Sequence, residues 1–176
     1  SRSFGVVSAS PAVEVEASID AIRDAVIRRA TSVLQPGKTF AIRARRLKTF
    51  PHTSKELEKL LGECVLESIK GVRVDLTSPD VTIYVEVREQ KAYVFSEVVR
   101  GPGGLPYGVE GRVVALVSGG TDSAVASWLI MKRGAEVIPV FNDMGRFIGE
   151  AARKRVLEVL RRLKEWVPED EWRAYL

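Results

Sequence analysis

The sequence predicts an α+β domain followed by the opening part of a doubly wound α/β domain, and three observations carry that expectation. The first hundred residues alternate between strand-like and helix-like patterns joined by short turns. The stretch Gly101-Pro102-Gly103-Gly104-Leu105-Pro106-Tyr107-Gly108 then reads as a linker. Beyond it, a β-branched run at 112–117 passes through Ser118-Gly119-Gly120-Thr121-Asp122-Ser123 into a helical pattern, which is a strand–loop–helix unit of a parallel sheet.

Taken in order, residues 4–15 carry Gly, Ser and Pro and read as a short strand end with a connecting segment. Ile19, Ile22, Val26, Ala30 and Val33 recur at helical spacing, and Gln35-Pro36-Gly37-Lys38 stops that helix. Residues 39–46 alternate, with Phe40, Ile42 and Ala44 on one face and Ala41, Arg43 and Arg45 on the other. Thr53-Ser54-Lys55-Glu56 has the spelling of a capping box. The helix it opens has a stripe of Leu57, Leu60, Leu61, Cys64, Val65 and Ser68 and ends at Gly71. Residues 72–76 alternate as a strand, and Ser78-Pro79-Asp80 turns the chain. Val81, Ile83, Val85 and Val87 mark the next strand, and Glu89-Gln90-Lys91 leads into another at 92–99. After the hexapeptide come a helix at 124–133 closed by Gly134, a strand at 136–141, and a long helix at 148–166. Ala174-Tyr175-Leu176 looks like the start of a third strand. A doubly wound sheet needs more strands than these to bury both faces, so the expectation is a fragment of such a domain.

Composition narrows the functional classes. No apolar run is long enough to span a membrane. A single cysteine excludes an internal disulfide framework and fits a reducing cytoplasm. No Cys/His cluster has metal-ligand spacing. A net charge of +4 hints at an anionic partner.

The hexapeptide is suited to holding phosphate. Its glycines let backbone N–H groups approach an oxyanion, the helix start adds partial positive charge, and Ser118, Thr121 and Ser123 add hydroxyl donors. It is not a Walker loop, since no lysine follows the glycines, and it lacks the GxGxxG of dinucleotide sites. A turn that needs glycine and an Asp/Ser cap for geometry alone explains neither Ser118 nor the Asp122-Ser123 pair.

A second feature is the run of eight lysines and arginines between Arg28 and Lys55 with no acidic residue among them. It gives the electrostatic footprint of a nucleic-acid surface, and a solvated positive face is the competing reading. Arg43 and Arg45, on one face of one strand, favour contacts to a phosphate backbone over base reading. Lys38, Arg43, Arg45, Arg46, Lys48 and Lys55 form the candidate RNA-binding set. Cys64 reads as a core thiol, and His52, in a turn, is not assigned to catalysis.

The Ser-Gly-Gly-x-Asp-Ser spelling resembles the PP-loop of N-type ATP pyrophosphatases. The two halves together resemble the tRNA 4-thiouridine synthetase family, which joins a ferredoxin-like domain, a THUMP domain and a PP-loop domain of Rossmann-like architecture. Phe40-Ala41-Ile42-Arg43-Ala44-Arg45-Arg46 is similar to the first THUMP strand, residues 54–62 to its helix, and residues 78–88 to its strand–turn–strand. Gly103-Gly104-Leu105-Pro106 with Gly108 is similar to the linker, and residues 116–136 to the nucleotide loop with its helix.

The resemblance implies four segments: 1–18 as the end of the ferredoxin-like domain with a connection, 19–100 as the THUMP-like domain, 101–110 as the linker, and 111–176 as the first part of the PP-loop domain. It implies that Leu116 and Val117 line an adenosine site through their backbone. Ser118, Gly119, Gly120, Thr121, Asp122 and Ser123 would hold pyrophosphate, with Asp122 the catalytic carboxylate that orients Mg²⁺ or phosphate. Phe141 and Asn142 stand where the family often carries a His-Phe pair, and complete the nucleotide set. The implied activity is ATP-dependent adenylation of a tRNA uridine at position 8 and its conversion to 4-thiouridine, with a further link to thiamine thiazole synthesis. Implied cofactors are ATP and Mg²⁺. Implied partners are tRNA, a sulfur donor such as a cysteine desulfurase persulfide, and a second copy in a homodimer. Alternatives are a tRNA-binding module without catalysis and a different PP-loop tRNA-modifying enzyme.

Overall fold

The computed structural model describes residues 2–145 and 149–175. Ile148 and Leu176, which the sequence patterns include in a helix and a strand, lie outside these residues. The chain divides into two compact units, one of residues 10–98 and one joining the segment up to Ala9 with everything from Val99 onward.

In the first unit, β2 (Val13–Glu16), α1 (Ile19–Val33), β3 (Thr39–Arg46), α2 (Ser54–Ser68), β4 (Arg73–Val74), β5 (Val81–Arg88) and β6 (Lys91–Phe95) build one five-stranded sheet. Its order is β2-β6-β5-β3-β4. The β3 strand runs parallel to both β4 and β5, while β6 pairs antiparallel with β5 and β2. Alternation decides which face is dry. Phe40, Ile42 and Ala44 of β3 join Ile83, Val85 and Val87 of β5 and Ala92 and Val94 of β6. They pack against Ile22, Val26 and Ala30 of α1 and Leu57, Leu61 and Val65 of α2. Both helices therefore cover one face of the sheet.

The local signals behave as the chemistry dictates. Thr53 Oγ1 accepts the Glu56 N–H at 3.2 Å, and Glu56 accepts the Thr53 N–H at 2.7 Å, closing the capping box. The bond from the Thr53 backbone N–H first, and then that from the Thr53 side chain, hold the Glu56 carboxyl below its usual range. Asp80 ties the starts of β3 and β5 together, accepting from the Thr39 N–H at 2.8 Å, the Thr39 hydroxyl at 3.0 Å and Lys38 Nζ at 3.0 Å. Glu58 of α2 accepts the Ala44 N–H at 2.8 Å, and β4 pairs with β3 only at Thr39 and Phe40.

In the second unit, β1 (Ser8–Ala9) pairs antiparallel with β7 (Val99–Arg100). The strands β8 (Arg112–Leu116) and β9 (Glu136–Val140) pair in parallel and flank α3 (Thr121–Lys132). The helix α4 (Glu150–Lys164) follows. Tyr175 bridges Val140 in parallel, so the segment read as a third strand does begin to pair beyond β9. The core joins Phe4, Met131, Val137, Leu163 and Val167. Phe4 stacks on Trp166 with ring centroids 5.2 Å apart and meets Trp128 edge-on at 5.6 Å.

Several elements differ from the sequence patterns. Val13–Glu16, read as connection, is an edge strand, and four alternating residues give a weak period-two signal. The segment from Phe4 to Ser8 packs within the second unit, because Phe4 fills an aromatic slot between Trp128 and Trp166. The run at 101–110 groups with that same unit: the Glu110 N–H bonds the Gly134 carbonyl at 2.9 Å and the Leu105 N–H that of Lys132 at 3.0 Å. Residues 72–76 shrink to a two-residue strand because Asp75 turns back to cap the N–H groups of Thr77 and Ser78. The strand at 92–99 breaks after Phe95, and its tail pairs with β1 instead. The α3 helix begins at Thr121, three residues before its apolar pattern, which places Asp122 and Ser123 in its first turn.

Candidate functional site

The hexapeptide sits where the parallel pair β8–β9 ends. Val117, nearly fully buried, donates its N–H to the Val140 carbonyl at 2.8 Å and pins the exit of β8 to β9. The chain then turns through Ser118 and Gly119 into α3. Ser123 Oγ organises the turn from within: it accepts the Ser118 N–H at 3.3 Å, lies 3.4 Å from Ser118 Oγ, and donates to the Gly120 carbonyl at 3.1 Å. One turn on, the buried Ser127 donates to the Ser123 carbonyl at 2.8 Å.

What this leaves open matters chemically. The N-cap of α3 is Gly120, and no side chain caps the helix. The first N–H groups of α3 thus have no side-chain acceptor, and the positive end of the helix dipole faces the loop. Thr121 and Asp122 are exposed beside them. This is a cradle of donors for an anion, with one carboxylate on its rim.

The opposite wall comes from β9 and α4. Phe141 is buried with Val117 and Val156 in a small core of its own, while Asn142 is exposed at the strand end. Asp143 holds Arg153 from two sides, with Oδ2 3.0 Å from Nε and Oδ1 3.1 Å from an Nη. That hydrogen bond from Arg153 lowers the Asp143 pKa. The structure therefore brings Leu116, Val117, the hexapeptide, Phe141 and Asn142 to one end of the parallel pair. Open parallel sheets bind ligands outside this carboxyl end. Sequence reasoning missed the part of α4. Gly119 has φ +77°, and a Cβ there would lie 3.0 Å from the backbone N of Val156. No spacing rule links residues 119 and 156, so only the fold shows this contact.

The basic set splits in two. Lys38 is paired with Asp80 at 3.0 Å. Arg43 donates to the Leu76 carbonyl at 2.6 Å, and Arg46 to that of Leu47 at 3.1 Å. These three side chains hold neighbouring loops in place. Arg45, Lys48 and Lys55 are exposed and make no ion pair or side-chain hydrogen bond among the described residues. In the sheet register Arg43 stands beside Tyr84 and Arg45 beside Glu86, on the face opposite the helices. Tyr84 stacks on Phe95 there, with centroids 5.1 Å apart. His52 lies 6.2 Å from Phe50, ring to ring, and Cys64 is a half-buried free thiol. Among the described residues, no three His, Cys, Asp or Glu side chains cluster as a metal site, and no helix is long and apolar enough to cross a membrane.

Comparison with known proteins sorts the two units. Residues 16–97 match the THUMP domain, and residues 108–173 match the family described as "Thiamine biosynthesis protein (ThiI)". A probable tRNA sulfurtransferase of Methanosarcina acetivorans is 41% identical over 98% of this chain, which covers 43% of that protein. One from Methanothermobacter thermautotrophicus is 43% identical over 94% of the chain and 44% of its own length. This is a THUMP–ThiI chain, similar over nearly its whole length to proteins named probable tRNA sulfurtransferase.

Two solved structures agree with this THUMP–ThiI assignment. A 4-thiouridine synthetase, in an RNA complex with bound ATP, superposes with a TM-score of 0.81 at 31% identity. It is matched over 94% of this chain and 44% of its own. A Pyrococcus horikoshii Ot3 protein gives a TM-score of 0.82 at 37% identity, over 94% of this chain and 55% of its own. The THUMP match lies within the unit of residues 10–98, and the ThiI match within the unit that carries the hexapeptide. The chain spans less than half the length of these curated relatives.

Proposed function

We propose that this protein serves tRNA sulfur modification, with ATP used to activate a uridine of tRNA, at position 8, for conversion to 4-thiouridine. The observation that carries the reading is the uncapped start of α3 behind Ser118-Gly119-Gly120-Thr121-Asp122-Ser123, in the same chain as a THUMP unit. Support also comes from the relatives named as tRNA sulfurtransferases and from the ATP and RNA bound by the solved 4-thiouridine synthetase.

In this reading the uracil O4 attacks the α-phosphorus of ATP and the bond to pyrophosphate breaks. The leaving pyrophosphate collects negative charge, and the N–H groups of Thr121, Asp122 and Ser123 with the hydroxyls of Ser118 and Thr121 meet that charge without reorganising. Leu116, Val117, Phe141 and Asn142 form the wall for the adenosine. The terminal sulfur of a persulfide donor then attacks C4, and AMP departs with the former O4. A second thiol attacks the donor's remaining sulfur, breaking the S–S bond to free the thiouridine and leave a disulfide. Asp122 is exposed and makes no described side-chain bond, so its carboxylate suits a Mg²⁺ ion, whose chemistry would be to offset charge on the phosphates. Arg45, Lys48 and Lys55 supply the cationic surface for tRNA phosphates. The reading places the protein in the cytoplasm, keeps the link to thiamine thiazole synthesis, and includes a second copy of the chain. That last partner is supported by the exposed apolar side chains of Val114 and Leu116 on β8, and sedimentation reports it directly.

The deciding experiment is Asp122→Ala in the full-length protein. Pyrophosphate release in the presence of tRNA is expected to fall about 10²–10³-fold, the usual cost of one lost transition-state contact. Binding of tRNA is expected to stay within twofold, since the basic segment lies in the other unit. Unchanged pyrophosphate release removes Asp122 from the mechanism.

A further inference from the structure

The phosphate loop has an electrostatic gap. Its six residues include no lysine or arginine, and Asp122 adds a negative charge. A polyphosphate held there by N–H groups and hydroxyls alone lacks a fixed cation on the protein. The α4 helix stands against the loop at the point where one can be supplied. An ideal Cβ on Gly119 would lie 3.3 Å from the Cβ of Arg155, as well as 3.0 Å from the backbone N of Val156. Only the Val156 Cγ2 methyl, also 3.0 Å from that position, comes as close, so loop and helix touch and the Arg155 stem starts at the edge of the cradle.

The neighbouring arginines are committed elsewhere. Arg153 is held by Asp143. Arg161 and Arg162 share Glu158, which lies three residues after Arg155. Arg155 is exposed and makes no ion pair or hydrogen bond among the described residues. Val156 is inserted into the core with Val117 and Phe141, which fixes the rotation of α4 and so the side from which Arg155 leaves it.

We infer that Arg155 is a phosphate-binding residue, its guanidinium closing over the polyphosphate held by the Gly119–Ser123 loop. The inference deepens the nucleotide reading above and rests on it. A guanidinium on a three-carbon stem spans the short distance from α4 to the loop and offers paired N–H donors that match phosphate oxygens. It also gives the glycine at 119 a functional reason, since a side chain there would push α4 and its arginine away from the cradle.

The test is ATP and AMP binding by calorimetry to the full-length protein, its Arg155→Ala and Arg155→Lys variants, and a Lys154→Ala control. Arg155→Ala is expected to weaken ATP binding about tenfold or more, the size of a lost charge-assisted hydrogen bond. AMP, without the pyrophosphate, is expected to change less than twofold. Arg155→Lys, which restores the charge without the paired donors, should recover part of the loss. Lys154→Ala, which removes the same charge one residue away, should leave both ligands unchanged. Equal losses for ATP and AMP, or an equal loss in the Lys154 control, would show that Arg155 acts through general charge or structure and overturn the inference. Unchanged ATP binding in Arg155→Ala overturns it too, with the nucleotide reading intact. Failure of the unsubstituted protein to bind ATP overturns both.

Discussion

At the scale of single residues, chemistry that lies close along the chain was legible and chemistry assembled by the fold was not. Ser118 to Ser123 form a contiguous word whose donors and glycines can be weighed without coordinates, and the structure gathers them at the end of β8. The basic run is equally visible, but its letters are not equivalent. Arg43 and Arg46 bond to carbonyls of nearby loops, and no charge count distinguishes them from Arg45. Arg45→Ala is therefore expected to reduce the slope of log K against log salt for tRNA by about 0.7–0.9, the signature of one lost phosphate contact. It should leave the unfolding midpoint of the protein unchanged. Arg43→Ala is expected to do the opposite, lowering thermal stability through the freed Leu76 carbonyl. Filter-binding titrations at several salt concentrations, read beside thermal melts, separate the two roles. An Arg45 variant with an unaltered slope makes the run a solvated face.

At the scale of elements, long periodic segments were readable to within a residue for β3, β5 and α1, and to within three at the end of α2, because each exposes one pattern to one core. Short elements were not. Whether residues 72–76 form a strand is decided by the competition between ladder bonds and the Asp75 turn, which hydrophobic alternation does not record. The same competition gives Asp80 its role as the clasp between β3 and β5. Bonds from the Thr39 backbone first, then from Lys38 and the Thr39 hydroxyl, lower its pKa from 3.8 to about 2. A carboxyl depressed on folding adds stability above its unfolded pKa, and that contribution disappears as pH falls through the folded value. The melting-temperature difference between the wild type and Asp80→Asn is thus expected to be constant above pH 3.8 and to close towards pH 2. Subtracting one melt from the other cancels the remaining carboxylates, such as Glu56. A difference that stays flat across this window would show that the Asp80 charge does not hold the clasp.

At the scale of the whole molecule, the path of the chain between its two units was the part least visible in sequence. Linker composition marks residues 101–108 correctly as irregular, yet composition says nothing of what packs on them or of where the first nine residues go. That is settled by one aromatic side chain. Phe4, 7% exposed, lies between Trp128 and Trp166, so the N-terminal segment stabilises the unit that carries the hexapeptide loop. Replacing a buried Phe by Ala costs about 3–5 kcal/mol. With a urea m-value of about 1–3 kcal/mol per molar, Phe4→Ala should move the unfolding midpoint of that unit down by about 1 M or more. The chain supplies its own reporter: its three tryptophans, Trp128, Trp166 and Trp172, all belong to this unit. Tryptophan fluorescence is therefore expected to shift to lower urea in Phe4→Ala. Amide exchange at β3 and β5 in the THUMP unit should keep the wild-type midpoint, because its core of Phe40, Ile83, Leu57 and Leu61 contains no residue from the segment of Phe4. If both probes move together, the two units unfold as one cooperative body and the chain does not divide thermodynamically where its contacts divide.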